Sequence, residues 1–530
     1  MWVEGLVLSV AVFAVVLLSF RLWDKWQARD APLERPGGIG SWFSRLPPRL
    51  IRAIFTIAIF ALWVPAFLAF FPGNYSSDGP LQVSALLNQG FIDLHWPAVH
   101  TLVLAGCLEL GRSVANSFDF GLSVYCIGQG LLLAFSMAFA AERAIRWKVP
   151  APFVVATTLV MALNPVLQTY AFTTTKDSMF AAFFLIVLVY LAEMVRDPAR
   201  FLESTPSLVR FALAVLATCL MRKQGAYVLV VVGIVALVWL ARPSSRVRFA
   251  VAIVVPLAAA FLCNPLISLL VPTRSDSERE TLSVPSQQVA RTYMLDYDSL
   301  TTGEIEWYSR YYDIAQFESG RLTTAPYASA GNGRFYDTIT GTGYLDCLAD
   351  LSKGALNDTA YAEDKLGYLS GWMALARGHE GLYSEAFLWG EVGYVYPSSK
   401  VANRWTGMSP WNEFSVVLDE GGAANQIADY HQTSLLPGYL SWLVDGTQNI
   451  FPENPLLMLW VSMALPFYVL LASFCLLARR RGSSLLIAWM LLFVYWLSLG
   501  LGPVMCIRYV TPLFYCLPFA ASLPLMGSRA

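Results

Sequence analysis

Four polar stretches interrupt an otherwise apolar chain, and the cations among them suit contact with an anionic group. The densest is Asn74-Tyr75-Ser76-Ser77-Asp78-Gly79, followed by Asp93-Leu94-His95-Trp96-Pro97-Ala98-Val99-His100-Thr101. It gathers carboxylates and both histidines of the membrane part within one loop and the helix start that follows, a concentration that suggests a site. Thr175-Lys176-Asp177 sets a cation beside an anion at the start of an apolar run. Arg222-Lys223-Gln224-Gly225 puts two cations at a hinge inside 34 otherwise apolar residues, and Arg508-Tyr509 stands between Pro503 and Pro512. Cations held there invite a phosphate, for which guanidinium geometry is well matched. Each group also has a plain structural role open to it. Asp78 or Ser77 can cap a helix beginning at Pro80. Thr175 can cap the next helix while Asp177 favours its dipole. His95 and His100 can sit at a membrane interface, Lys176 and Arg508 can snorkel to it, and Arg222 can be ordinary loop charge.

The elements that must position these groups are membrane helices. The chain has 530 residues, 56% hydrophobic and only 14% charged, where a soluble domain carries about 25% charged residues; its mean hydropathy is +0.52. Apolar runs such as Ile51 to Phe71, Leu122 to Ala141, Met179 to Val195, Val247 to Val271, Pro455 to Ala478 and Ser484 to Leu501 approach the roughly 20 residues that cross a bilayer. The run Val7 to Phe20 lacks a basic start and a small-residue cleavage site, so it reads as a retained helix and not a signal peptide. The expected fold is an all-α polytopic membrane protein with about 11–13 transmembrane helices and one inserted extramembrane domain of mixed, largely irregular structure.

Charge sorts these parts into compartments. Residues 272–454 hold 24 acidic and 11 basic side chains, leaving 13 acidic and 25 basic elsewhere. Short basic loops face the cytoplasm, which places the 21–50 loop, Arg196 to Arg200, Arg242 to Arg248 and Arg479 to Arg481 inside. The loop 72–96 and the acidic segment 272–454 then lie outside the cell membrane. The chain divides into an N-terminal membrane domain (1–271), an extracytoplasmic domain (272–454) and C-terminal membrane helices (455–530).

Seven apolar segments separate the two external regions, whereas an outside-to-outside path needs an even number. The basic loop Arg143 to Lys148 points to Pro97–Gly111 as the one that does not fully cross, since it is short and carries His100 and Glu109; the alternative is that the 143–148 loop lies outside against the charge rule. Pro80 to Phe91 reads as amphipathic and interfacial, with Val83, Leu86, Leu87 and Phe91 opposite Gln82, Asn88 and Gln89. Within the inserted domain, Thr359 to Ala376 and Tyr383 to Leu388 suit helices, and Gly331-Asn332-Gly333 marks a turn. Seven of eight cysteines lie in apolar segments and Cys347 stands alone, so neither a disulfide framework nor a metal-ligand spacing follows. His379-Glu380 and His431 lack the spacing of a zinc pair, and no phosphate loop or basic tract for nucleic acid is present.

Taken together, Asp78, the amphipathic stretch, His95-Trp96-Pro97 with His100, Asn164-Pro165 before Lys176-Asp177, and Arg222-Lys223-Gln224-Gly225 resemble the GT-C superfamily of polytopic glycosyltransferases, nearest to a bacterial branch. The resemblance covers roughly residues 50–270 and 455–525. It implies sugar transfer from a polyprenyl-phosphate carrier to an extracytoplasmic acceptor, with membrane lipids as surroundings. It further implies Asp78 as the base and His95, Trp96, His100, Lys176, Asp177, Arg222, Lys223 and Arg508 as substrate contacts. Where the superfamily often has a second, metal-binding acidic residue, this chain has Lys176 beside Asp177. A divalent metal is therefore an open option and no other cofactor is expected. A transporter or lipid flippase would show two related halves with matching broken helices; a polysaccharide polymerase would leave Asp78 unexplained; a scaffold would need only the acidic domain.

Overall fold

The structure, a computed structural model, describes residue 21 and residues 42–526 apart from 44, 76–77, 241, 275–277, 316–354, 397–430, 432, 447–449, 452–453, 480–483 and 503–505. The run Val7 to Phe20, the turn at Gly331-Asn332-Gly333, Cys347, Ser76, Ser77 and most of the Arg479–Arg481 loop lie outside the described residues.

Apolar periodicity sets the helices. In α1 (Pro48–Ala69) the buried residues Ile51, Phe55, Ile59, Trp63, Ala66 and Ala69 recur every three or four positions, so one face packs inward and the rest meets lipid. A helix apolar all round belongs in the interior, and α7 (Lys176–Arg196) is that helix: 72% of its apolar window is buried. At the other extreme α11 (Pro243–Ser268), though equally apolar, is only 17% buried and forms the periphery. Among the described residues five helices are long and apolar enough to cross a membrane, and four shorter apolar helices accompany them.

Contacts between chain-distant ends order these helices into passes. Arg52 near the start of α1 meets Glu142 near the end of α4 (Phe118–Arg146), while Ser123 Oγ in the first turns of α4 donates to Pro72 O just after α1. The two helices are antiparallel, and their polar termini define a Glu142 end and an Asp78 end. Everything between Pro72 and Ser117 therefore starts and finishes at the Asp78 end. That segment holds α2 (Gly79–Leu87), β1 (Ile92–Asp93) and α3 (Ala98–Ala115). By length and composition α3 could cross, having 18 residues, but its connections return it to where it began. Asn116 takes the left-handed conformation (φ 52°) that reverses the chain. Gly111 and Gly121 let α3 and α4 touch backbone to backbone, since a Cβ on Gly111 would lie 2.3 Å from Gly121 N.

From α4 onward the passes alternate. Helix α5 (Ala151–Ala162) and α6 (Pro165–Ala171) make one broken pass bent by 67°, with Asn164 Oδ1 capping Val166 N and Pro165 in the first turn. It ends at the Asp78 end, where Thr173 bridges to Asn74. Helix α7 returns to the Glu142 end, placing Glu193 3.7 Å from Arg143. The short α8 (Pro198–Glu203) lies there, and α9 (Thr205–Met221) climbs back to bring Arg222 to Asp177. Helix α10 (Lys223–Trp239) descends, Arg248 Nη1 reaches Leu202 O of α8, and α11 rises to β2 (Thr273–Arg274). Strand β2 pairs in parallel with β1, Ile92 opposite Thr273 and Asp93 opposite Arg274. The passes α4, α5/α6, α7, α9, α10 and α11 make an even set, and the segment left over is α3.

Two expectations change. Within 272–454 most of the described residues are helical, joined by short loops and a Tyr312–Leu356 bridge: α12 (Ser283–Leu295), α13 (Thr302–Tyr311), α14 (Asp358–Glu363), α15 (Lys365–Gly378) and α16 (Glu380–Glu391) pack around their own cluster of Tyr308, Tyr311, Tyr312 and Tyr368 about Trp307. The helix expected over Thr359 to Ala376 is broken at Asp364, whose carboxylate caps Gly367 N. Helix α2 turns only part of its polar side to water: Asn88 and Gln89 just past its end are exposed, whereas Gln82 is fully buried against α3. The chain then continues through α17 (Pro437–Asp445) and α18 (Pro455–Val461) into α19 (Leu465–Arg479), α20 (Leu485–Leu499) and α21 (Ile507–Ser522).

Candidate active site

Asp78 stands at the start of α2 and is placed there by a close backbone approach. A Cβ on Gly79 would lie 2.5 Å from Thr174 Oγ1, so only glycine lets this turn settle on the Thr173–Thr174 segment. Asn74 secures the same contact: its backbone N–H donates to Phe172 O, its carbonyl accepts from Thr174 N, and its Nδ2 donates to Thr173 Oγ1. Asp78 makes no side-chain cap. Instead its Oδ2 accepts from Lys176 Nζ at the first turn of α7, and its Oδ1 lies 3.4 Å from Arg508 Nη1 of α21. Burial by itself would raise this carboxyl, but Arg508 and then Lys176, with His95 adding to them, hold it well below the usual carboxylate range.

The second carboxylate is deeper. Asp177, fully buried, pairs with Arg222 at the α9–α10 hinge, and Thr175 caps α7 through Asp177 N. Arg222 and Arg508 flank one ring, their guanidinium carbons 4.9 and 5.1 Å from the Tyr509 centroid. Arg508 Nη2 also donates to Tyr509 Oη, and Tyr495 Oη donates to Tyr509 O. Lys176, Arg222 and Arg508 are 15%, 15% and 18% exposed in their side chains, so three segments far apart in sequence deliver three mostly buried cations to two carboxylates. Lys223 stays at the rim and donates to Leu94 O. His95 packs edge-on to Trp96 at 5.0 Å, and its backbone N–H donates to Asp93 Oδ1. The structure thus brings Asp78, His95, Lys176, Asp177, Arg222 and Arg508 together, with Trp96 and Lys223 beside them.

His100 is a correction. It is fully buried, with Nδ1 2.8 Å from Gln82 and Nε2 2.8 Å from Tyr125 Oη. Tyr125 donates in turn to Gln129 Oε1, and Gln129 Nε2 donates to the carbonyls of Tyr170, Ala171 and Thr173. The chain is consistent when His100 Nε2–H donates to Tyr125 and the Gln82 amide presents its NH2 to Nδ1. Both ring nitrogens are then occupied, so His100 ties α2 and α4 to the segment that carries Lys176 and has none left for a substrate.

Sequence reasoning missed Tyr509 as the shared platform, and it missed Gln129 and Tyr125, which sit in the ordinary-looking apolar helix α4. A Gln inside the run Leu122 to Ala141 was the one visible signal, since a buried amide must find partners. Among the described residues no three His, Cys, Asp or Glu side chains gather as metal ligands.

A model of a family of unknown function (DUF6020) matches residues 87–307. No curated protein matches the chain. Two crystal structures of ArnT from Cupriavidus metallidurans are similar to it over 88% of this chain and 77% of theirs: one bound to undecaprenyl phosphate, at 15% identity and a TM-score of 0.32, and one in the apo state, at 16% and 0.33.

Proposed function

We propose that this protein is a membrane glycosyltransferase that moves a sugar from a polyprenyl-phosphate carrier to an acceptor hydroxyl on the extracytoplasmic face. The observation that carries the reading is the convergence of Lys176, Arg222 and Arg508 on Asp78 and Asp177 at one end of the helices. Three cations, with Lys223 nearby, outnumber two carboxylates, and charges at this depth are costly enough to imply use. The surplus suits a phosphate that gains charge as it leaves.

In the transfer, the acceptor oxygen bonds to the anomeric carbon as the bond from that carbon to the phosphate oxygen breaks, and the phosphate keeps the electron pair. The acceptor proton goes to Asp78. With Lys176 and Arg508 both on it, Asp78 is a weak base; a donor phosphate that takes a share of those cations leaves the carboxylate more basic. Substrate binding would thus switch on the base. His95 and Trp96 stand where a sugar ring can stack and bond. Sidedness rests on charge: Arg143, Arg146, Arg196 and Arg248 gather at the Glu142 end, which the positive-inside rule assigns to the cytoplasm. Residues 272–454 follow the Asp78 end and are extracytoplasmic in this reading.

The donor set does not suit a divalent metal. Both oxygens of Asp78 and the inner oxygen of Asp177 already face cations, so a metal would have to displace them. Transfer is expected to persist in a chelator. The decisive experiment is genetic and chemical together: cells lacking the protein should accumulate polyprenyl-phosphate sugar, and the wild-type chain but not Asp78→Asn should clear it. Clearance at the wild-type rate by folded Asp78→Asn protein would overturn the base assignment.

A further inference from the structure

Among the described residues two buried oxygens near the cation cluster find no hydrogen-bond partner, and their geometry states what they want. Gln224 follows Arg222 and Lys223 in the first turn of α10, and its Nε2 donates to Ser498 Oγ. The Ser498 hydroxyl spends its own proton on Tyr495 O, so it can only accept, and the Gln224 amide orientation is fixed. Gln224 Oε1 is left buried with no donor. Glu391 Oε2 is likewise buried without a partner. Its carboxyl carbon would lie 3.8 Å from a Cβ on Gly500, two residues beyond Ser498.

Glu391 is the last residue of α16 and belongs to the extramembrane segment, yet it is locked onto the membrane helices. Three residues on, Tyr394 Oη accepts from Cys506 N, two positions before Arg508, and Tyr468 Oη of α19 donates to Val395 O. Gln224 and Glu391 therefore both reach the end-turn of α20, Gln224 at Ser498 and Glu391 at Gly500, beside the residues that carry Arg222 and Arg508. A buried acceptor without a donor costs free energy, and an O–H-rich ligand would remove that cost.

We propose that Gln224 and Glu391 bind hydroxyls of the donor sugar, so that the extramembrane segment completes the membrane site by contributing a side chain to it. The inference rests on the glycosyltransferase reading and deepens it. Burial pushes the Glu391 carboxyl up to about 9, so at neutral pH it is an uncharged group able both to donate to and accept from a sugar hydroxyl. Gln at this position preserves that ability and Leu removes it.

The test uses the full-length protein in detergent, with bare polyprenyl phosphate and a panel of polyprenyl-phosphate pentoses and hexoses as probes. Wild-type protein is expected to bind at least one sugar-bearing lipid about tenfold more tightly than the bare lipid. Gln224→Leu and Glu391→Leu should abolish that preference with affinity for the bare lipid unchanged, and Glu391→Gln should keep it. Bare-lipid binding doubles as the folding control. A preference that survives both Leu substitutions overturns the inference, as does a Leu variant that loses bare lipid and sugar lipid alike, or a wild type that binds bare lipid and no panel sugar any better. Failure of the wild type to bind any polyprenyl phosphate would overturn the functional reading itself.

Discussion

The two ends of the helix bundle hold similar charges for different purposes. At one end Glu142, 1% exposed in its side chain, sits among Arg52, Arg143 and Arg146 at 3.1–3.8 Å. Two of those arginines are its neighbours on the same helix, and all three reach solvent, with 24–45% of their side chains exposed. At the other end Asp78 and Asp177 draw Lys176, Arg222 and Arg508 from three separate segments, none more than 18% exposed. A carboxylate held by its own helix needs no tertiary fold to find partners. One whose partners come from across the chain is assembled only by the fold, at the cost of desolvating every member. The Glu142 end clamps α1 to α4, and the Asp78 end is the candidate site.

The contrast predicts unequal consequences. Asp78→Asn should lower the transfer rate by about 10²–10⁴-fold, whereas Glu142→Gln should leave it within about twofold, since Glu142 lies at the opposite end of the helices from Asp78; equal losses in a radiolabelled transfer assay would erase the distinction. Asp177→Asn leaves Arg222 buried without its anion and should cost about 3–5 kcal/mol, read as a fall in Tm. The Asp177→Asn, Arg222→Met double variant should recover most of it. Gly79→Ala forces a methyl against Thr174 and should cost about 1–3 kcal/mol, moving Asp78 with it. The smallest effect is a pH slope. Because the Glu391 carboxyl is raised by burial to about 9, its contribution is complete below the unfolded value and is lost as pH rises toward 9, by up to about 1.4 kcal/mol per unit. Asp78 has the opposite sign, its contribution being present above the unfolded value and lost in acid. Tm should therefore fall from neutral to alkaline pH in the wild type, and Glu391→Gln should flatten that limb.

Much of this was legible in residue order, and the misses are instructive. The apolar runs, the break at Asn164-Pro165 and the polar stretches each announce themselves locally, through hydropathy, proline and the rarity of charge. The odd segment, Pro97–Gly111, was traceable through parity and the basic loop after Arg143, although its 18-residue helix has the length of a true pass. His100 was misjudged because a histidine beside a proline looks alike whether it meets a ligand or Gln82 and Tyr125. Gln82 was set on the wet face of α2 because helical spacing cannot tell water from a buried partner. The roles of Gln224 and Glu391 had no local sign at all.

By itself the sequence determined which segments are membrane helices, where they break, and which few charges survive among them, because burial in lipid penalises every polar atom residue by residue. Only the tertiary structure decided which of those charges meet. Ion pairing depends on distances of a few ångströms between segments separated by most of the chain, and hydrophobic periodicity carries no record of them. Asp78 shows both sides: its place in a polar stretch between apolar runs marks it, and only the fold brings Lys176 and Arg508 to it.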